Sequence, residues 1–290
     1  MDKVRVNIYI SDEGLTIKEY LKKHNVGRGK IEEIRVNHSS FINELYAPLE
    51  TCLHENDFLS FDIREEIDFI PQDGSLDVVY EDDYFLAVNK PANMIIYPDS
   101  KEKKGTLVNL IANYYIKNNI HRKIRYLHRI DKETTGLILF AKDFLSEAIL
   151  LKEFENHTIY RAYLALLEGK IKRKKGTISA CIGQDRHING KMCINNKGKN
   201  AISKYRLIKE YNNYSLVEFT LLTGRTHQIR VHASYFLNPL LGDVLYGGTL
   251  QYISRVALHS YKMRFIHPFT NKEVLIQAKL PDDINDLVNC

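Results

Sequence analysis

Between residues 125 and 142 the chain reads RYLHRIDKETTGLILFAK, and no other stretch restricts its folding as tightly. An apolar approach (Tyr126, Leu127) leads into a knot of charges (His128, Arg129, Asp131, Lys132, Glu133) and a small-residue turn (Thr134, Thr135, Gly136). The run that follows, 137–141, is too apolar to lie anywhere but in a core. The pattern is therefore strand, turn, strand, with ionisable groups at the turn. A carboxylate on the rim of a packed strand is held in place without being fully desolvated, which suits a catalytic group. Equally, Asp131 serves as an ordinary turn residue that bonds nearby backbone, a common use of Asp. Both readings stand on this stretch alone.

A chain of 290 residues accommodates two domains, or one large domain with an appendage. Its 44% hydrophobic content is that of a folded, core-bearing protein. No run approaches the roughly 18 apolar residues of a membrane span. The N-terminal MDKVRVNIYISDEG is charged from its second residue and lacks a secretory apolar region. Cys52, Cys181, Cys193 and Cys290 are scattered with no CxxC pair, as expected of reduced thiols in a cytoplasmic protein. The net charge of +5 hides an asymmetry: residues 1–66 hold 9 Lys/Arg against 13 Asp/Glu, and the remainder holds 32 against 23. A polyanionic partner is drawn mainly to the larger part.

Taken in order, residues 4–10 alternate as a strand, and 15–24 and 29–34 read as two short helices. Arg35-Val36-Asn37 and then Asn56-Asp57, before an alternating 58–63, predict short strands. This arrangement resembles an S4-type RNA-binding domain over about a fifth of the chain, although the segment is acidic, so a docking appendage fits almost as well. Residues 67–76, with Pro71 and Gly74, read as a linker. A hairpin over 76–89 brackets the acidic turn 81–83 and ends at Lys90-Pro91. Helices are predicted over 106–116 and 145–154, and strands over 160–167, 204–208 and 215–222. Residues 183–200 look like an irregular hairpin excursion. The expected fold class is α+β, a mixed and mostly antiparallel catalytic sheet (77–290) behind a small α/β S4-like domain (1–66).

No metal or nucleotide motif emerges. His227 and His232 are five apart, and His259 and His267 eight apart, which are not the spacings of a helical zinc pair. GDVLYGG is no phosphate loop, and no GxSxG or Cys–His constellation is present. What remains is Asp131, a Thr-Gly-Arg-Thr-His-Gln segment ending in Ile229-Arg230, and a tyrosine-rich strand. An Arg near an Asp keeps the carboxylate ionised and oriented. A Tyr offers a flat face to a base, and Arg129 a planar wedge or phosphate contact. These parts suit chemistry on a nucleobase in RNA, and they also suit an ion-pair network that merely ties strands together.

HRIDKETTGLILFAK resembles the signature HRLDxxTSGLLLFAK of the RluA-type pseudouridine synthases. VVYEDDYFLAVNKPANMIIYP, YRAYLALLEG, LLTGRTHQIRVH, GDVLYG and LHSYKMRFIHP follow the family's order over about residues 77–280. Asn93 and Tyr97 stand where the first of these blocks usually has Gly and His. The resemblance implies an RNA pseudouridine synthase acting on rRNA, the large subunit's above all, or tRNA. Asp131 would be the catalytic aspartate, Tyr163 rather than Tyr160 the tyrosine that packs on the target base, and Arg230 the arginine that pairs with the aspartate. It also implies RNA contacts from Arg129, His128, Lys90, Arg225 and His227. No cofactor, nucleotide or metal is expected, nor a membrane, and a monomer is. Pseudouridylation detaches uracil at N1–C1′ and rejoins it through C5, so it needs no redox partner or energy source. Attack at C1′, proton removal at C2′ and attack at C6 all remain open routes for Asp131. The rival from another class is a non-catalytic RNA-binding or ribosome-assembly protein that keeps the fold. Loss of Asp131, Tyr163 or Arg230 would mark it, and all three are present.

Overall fold

A computed structural model describes residues 3–98 and 104–289; Met1, Asp2 and Cys290 fall outside them. The alternating N-terminal segment forms β1 (Lys3–Asn7), whose Val4 and Val6 point inward. Helix α1 (Ile17–Lys23) starts at a capping box, the Thr16 side chain accepting from Glu19 N while the Glu19 carboxylate accepts from Thr16 N. Then come α2 (Arg28–Val36), β2 (Ser40–Ile42), β3 (Leu45–Tyr46) and β4 (Phe58–Asp62), giving a four-stranded sheet in the order β1-β4-β2-β3. Arg35 and Val36 are not a strand: they form the last turn of α2, and Asn37 follows as its C-cap. The true hairpin lies six residues on. Its two-residue turn, Asn43-Glu44, has φ of 50° and 67°, the left-handed pair such a turn demands. Glu44 occupies a place where Gly usually announces the turn.

The remaining elements build one larger sheet. Its strands are β5 (Val78–Glu81), β6 (Phe85–Lys90), β7 (Arg125–Tyr126), β8 (Thr135–Ala141), β9 (Tyr160–Glu168), β10 (Lys175–Gln184), β11 (Met192–Ile194), β12 (Lys199–Glu210), β13 (Tyr214–Leu221), β14 (Leu258–Ile266) and β15 (Glu273–Gln277). Helix α3 (Leu107–Lys117) precedes β7, α4 (Phe144–Glu155) links β8 to β9, α5 (Gln228–Phe236) follows β13, and α6 (Asp282–Asn289) comes last. The order is β11-β10-β12-β13-β9-β14-β8-β6-β5, with β15 beside β14 and β7 beside β8. Every pairing is antiparallel except β14 with β8. The fold is thus α+β with a mixed, mostly antiparallel sheet. Strand β10 and helix α5 are elements that the sequence patterns left unassigned. Residues 67–76 hold no helix or strand, yet they are tied down: Ile67, Phe69 and Leu76 pack into the core under α3, and the Asn109 amide donates to Ile70 O at 2.8 Å.

The parallel seam spans only two residue pairs, His259–Thr135 and Ser260–Gly136. Gly136 sits there at φ 109°, and a Cβ would lie 2.2 Å from Ser260 O. No L side chain fits that backbone or that space. Gly136→Ala is therefore expected to cost about 2–5 kcal/mol, left-handed strain and overpacking combined, read as a lowered urea midpoint. Gly27→Ala, which meets nothing within 4 Å, is the control.

His232 and His259 are fully buried, and burial pushes both down to about 4. The unfolded chain takes up their protons near pH 6.5, whereas the folded chain resists until about 4. Stability is therefore complete above about pH 6.5 and declines between there and 4, by up to about 2.7 kcal/mol per pH unit if both respond fully. Urea titrations at pH 7.5 and 5.0 measure the difference, and equal midpoints would contradict it.

Candidate active site

The loop from β7 to β8 brings Asp131 to the floor of an open cavity of about 530 Å³, with 21% of its side chain exposed. The turn is closed by backbone, Thr134 N donating to Asp131 O at 3.2 Å. Among the described residues the carboxylate bonds none of the turn's amides, which removes the ordinary turn role considered for it. It faces Arg230 Nη1 at 3.4 Å and His227 Nε2 at 3.9 Å instead.

Arg230 lies in the first turn of α5 and is clamped from behind. Its Nε and Nη2 donate to the two oxygens of Asp243, each at 2.7 Å, and Asp243 has no exposed surface. A bidentate pair fixes the guanidinium plane, so the third nitrogen, Nη1, is presented to Asp131 without freedom to swing. Burial alone would lower the arginine, but Asp243 overrides it and Arg230 stands above its ordinary value. The Tyr246 ring lies 5.0 Å below the guanidinium, and its hydroxyl meets His227 Nδ1 at 2.9 Å. His227 itself is left-handed, φ 54°, as the N-cap of α5; a non-glycine there is strained by about 1 kcal/mol or more. Burial lowers His227 despite the opposing Asp131 carboxylate, so it is neutral near pH 7.

Tyr163 lines the same cavity, and burial raises its phenol. Tyr160 does not: three residues earlier on β9 it points to the other face, where Arg264 covers its ring. Arg129 is exposed at the rim, its Nη1 3.3 Å from the Tyr97 hydroxyl, and Tyr97 stacks on Tyr126 at 4.7 Å. Arg225 also lines the cavity while its Nε donates to Asn200 O at 2.9 Å. Asn93, at φ 60°, takes the left-handed place where a glycine was the expectation, a conformation Asn tolerates.

Two expected RNA contacts are corrected by the geometry. Lys90 has no exposed surface, and its Nζ donates to the carbonyls of Pro91, Met94 and Lys132 at 2.8, 2.9 and 3.0 Å. It ties the 90–94 loop to the loop carrying Asp131 and cannot reach a phosphate. Burial and Arg255 draw it down to about 7, while three carbonyl acceptors call for the three N–H bonds of the ammonium. His128 accepts from Leu139 N at 3.1 Å and lies against Phe154, and burial with Arg161 nearby pushes it down to about 3. A neutral ring locked to backbone supports β8 rather than binding an anion. Asp243 and Arg161, the latter buried in the cavity wall, escaped the sequence reading. Only the rule that a buried arginine needs a counter-ion could have pointed to Asp243.

Among the described residues no three His, Cys, Asp or Glu side chains gather as a metal site, and no helix is long and apolar enough to cross a membrane. Cys52, Cys181 and Cys193 are free thiols.

Comparison with known proteins identifies the family. Residues 84–235 match the model of the RNA pseudouridylate synthase family. An uncharacterized RNA pseudouridine synthase of Bacillus subtilis, YhcT, is 38% identical over 88% of this chain and 84% of its own. Ribosomal large subunit pseudouridine synthase D of Salmonella typhimurium is 33% identical over 90% and 85%. The solved structure of human RNA pseudouridylate synthase domain containing 1 superposes with a TM-score of 0.59 at 27% identity, over 72% of this chain and 86% of that one. The chain belongs to the RNA pseudouridine synthase family, and it is an enzyme that isomerises uridine in RNA to pseudouridine.

Lys90→Met leaves three buried carbonyls without a donor. It is expected to lower stability by about 3 kcal/mol and to slow turnover, with RNA affinity kept within about threefold. Urea titration, turnover and filter binding read the three quantities; affinity lost in step with turnover would restore Lys90 as an RNA contact.

Proposed function

We propose that this enzyme modifies uridines of large-subunit ribosomal RNA, and that Asp131 is the group that acts on the target nucleotide. The observation that carries the assignment is the aligned chain Asp243–Arg230–Asp131, which ends in a part-exposed carboxylate on the floor of a cavity shared with Tyr163. An Arg held in place by a second carboxylate aims its free nitrogen at Asp131, whose carboxylate stays part-exposed to the cavity. The choice of RNA rests on relatives named as ribosomal large subunit pseudouridine synthases.

A stacked RNA hides the glycosidic bond, so the uridine is flipped into the cavity at a cost of a few kcal/mol. Tyr163 packs on the base, and Arg129, exposed at the rim, fills the vacancy it leaves. The N1–C1′ bond breaks, uracil turns, C5 joins C1′, and the C5 proton departs while N1 takes one up. Substrate and product are isomers, so the balance closes with no cofactor. Arg225 holds a phosphate at the rim. The 1–66 unit, two helices followed by short strands, acts as an S4-like docking module. The enzyme works as a cytoplasmic monomer.

Asp131→Asn keeps the shape and removes the charge. In RNA carrying C5-tritiated uridine, tritium release is expected to fall by about 10³-fold or more, the scale of losing an essential catalytic group, with RNA binding by filter assay unchanged within about threefold. Release at the unmodified enzyme's rate would remove Asp131 from the chemistry. Mapping pseudouridine in ribosomal RNA with and without the enzyme identifies the target, and a gain confined to transfer RNA would overturn the substrate class.

A further inference from the structure

Arg161 is 7% exposed, on β9 two residues before Tyr163. Its side chain therefore leaves the same face of the strand as Tyr163 and lines the same cavity. Among the described residues its guanidinium makes no hydrogen bond and no ion pair, and Nε is buried without a partner. The Phe154 ring lies 5.4 Å away, and Tyr163 and His128 are its electrostatic neighbours, neither of them a carboxylate. Nη1 reaches the 222–227 loop, where a Cβ at Gly224 would come within 3.1 Å of it. All the other buried arginines, Arg125, Arg230 and Arg255, have carboxylate partners.

Burying a cation without a counter-charge is strongly unfavourable, and orphaned buried donors are rare in native proteins. Packing against the Phe154 ring offsets only a part of that cost. The missing partner is an anionic or strongly accepting oxygen that enters with the substrate. We infer that Arg161 is a subsite for a carbonyl oxygen of the target uracil, stabilising the negative charge that reaches this oxygen as the base is released.

This inference rests on the reading of the cavity as the uridine site. A flipped nucleotide enters base first and leaves its phosphates at the rim, where exposed Arg129 stands. Arg161 is too deep for the backbone but stands beside Tyr163, where the base would lie. Charge development favours the same choice. Displacement at C1′ and elimination through C2′ both break N1–C1′ with its electron pair going to uracil, where it is shared among N1, O2 and O4. Attack at C6 pushes charge onto O4. In every route a carbonyl oxygen of the uracil becomes more negative than in the bound uridine, so a fixed guanidinium binds the transition state better than the ground state. When C5 bonds to C1′, displacement releases the Asp131 carboxylate from C1′, elimination returns the proton to C2′, and the C6 route releases the carboxylate from C6; the C5 proton then leaves as N1 is protonated, restoring neutrality.

The test is single-turnover tritium release from C5-tritiated RNA, with RNA affinity and its salt dependence measured in parallel. For Arg161→Gln the rate is expected to fall by about 10²-fold or more, as when one oxyanion donor is removed. Affinity should stay within about threefold, with an unchanged salt slope. Weaker binding with a salt slope reduced by about one would assign Arg161 to a phosphate and overturn the proposal. A rate within threefold of the unmodified enzyme would overturn it too. Arg161→Lys supplies a readout that packing alone would not move. A lysine there retains charge at neutral pH but titrates below its ordinary value because it is buried. Its rate should exceed that of Arg161→Gln near pH 7 and decline as pH rises through that lowered value, a decline the unmodified enzyme lacks. A rate for Arg161→Lys parallel to that of the unmodified enzyme at every pH, or equal to that of Arg161→Gln throughout, counts against the subsite. Absence of tritium release from the unmodified enzyme would instead reject the uridine site itself, separating the two failures.

Discussion

Two residue pairs hold this molecule in register. Strands β8 and β14 run parallel only at His259–Thr135 and Ser260–Gly136, yet they join β5, β6 and β8 to the long antiparallel run from β9 to β11. Parallel pairing needs burial on both faces to persist, and every residue of β8 is buried. The contact is sealed by side chains, Thr135 Oγ1 meeting His259 Nδ1 at 2.9 Å. Gly136 permits the approach because it alone has neither a Cβ nor a penalty for positive φ. The seam also sets the candidate active site. Asp131 enters five residues before Gly136, and Tyr163 stands opposite Ser260 on the neighbouring strand. Two side chains far apart in sequence are thereby fixed across one short junction.

Around that junction the charges are arranged in depth. Asp243 is fully buried, Arg230 nearly so, and Asp131 reaches the open cavity. Each member orients the next, and the last of the three has the most exposed side chain. Lys90 acts from beneath through Lys132 O, adjacent to Asp131, so the loop is held by a side chain and not only by its own turn. Such preorganisation places the cost of positioning in folding rather than in the reaction. The left-handed His227 at the start of α5 is the visible trace of that cost.

How much of this was legible in the sequence differs from one part to the next. The strand after Gly136 was plain because five apolar residues in a row, 137–141, leave no amphipathic alternative, and all of them are buried. Helices α3 and α4 were plain from periodicity. The hairpin at Asn43-Glu44 was not, because Glu44 carries a backbone conformation that sequence patterns assign to glycine. Helix α5 was hidden by its composition: QIRVHASYF is rich in β-branched, aromatic and polar residues, and it buries its first six positions instead of one stripe. At the site, the tie between Asp131 and Arg230 was foreseen from the blocks they sit in. Lys90 and His128 were misread because a charge in a sequence says nothing about its depth, and depth turned one into a loop tie and the other into a neutral backbone acceptor.

Helix α4 links the two sheets more closely than the word linker suggests for residues 67–76. At its start Phe144 and Leu145 enter the core of the N-terminal unit, Phe144 meeting Phe61 edge-on at 5.7 Å. Near its end Phe154 forms the cavity wall, covering His128 and Arg161. Ten residues of helix span about 15 Å, so a rigid rod runs from one core to the edge of the site. Glu65, at the close of the N-terminal unit, adds an ion pair at 2.5 Å to Arg125, which also holds Glu147 of the same helix at 3.0 Å. A flexible tether would leave the cavity indifferent to the N-terminal unit. A shared helix instead makes that unit part of the support for the wall against which Arg161 rests.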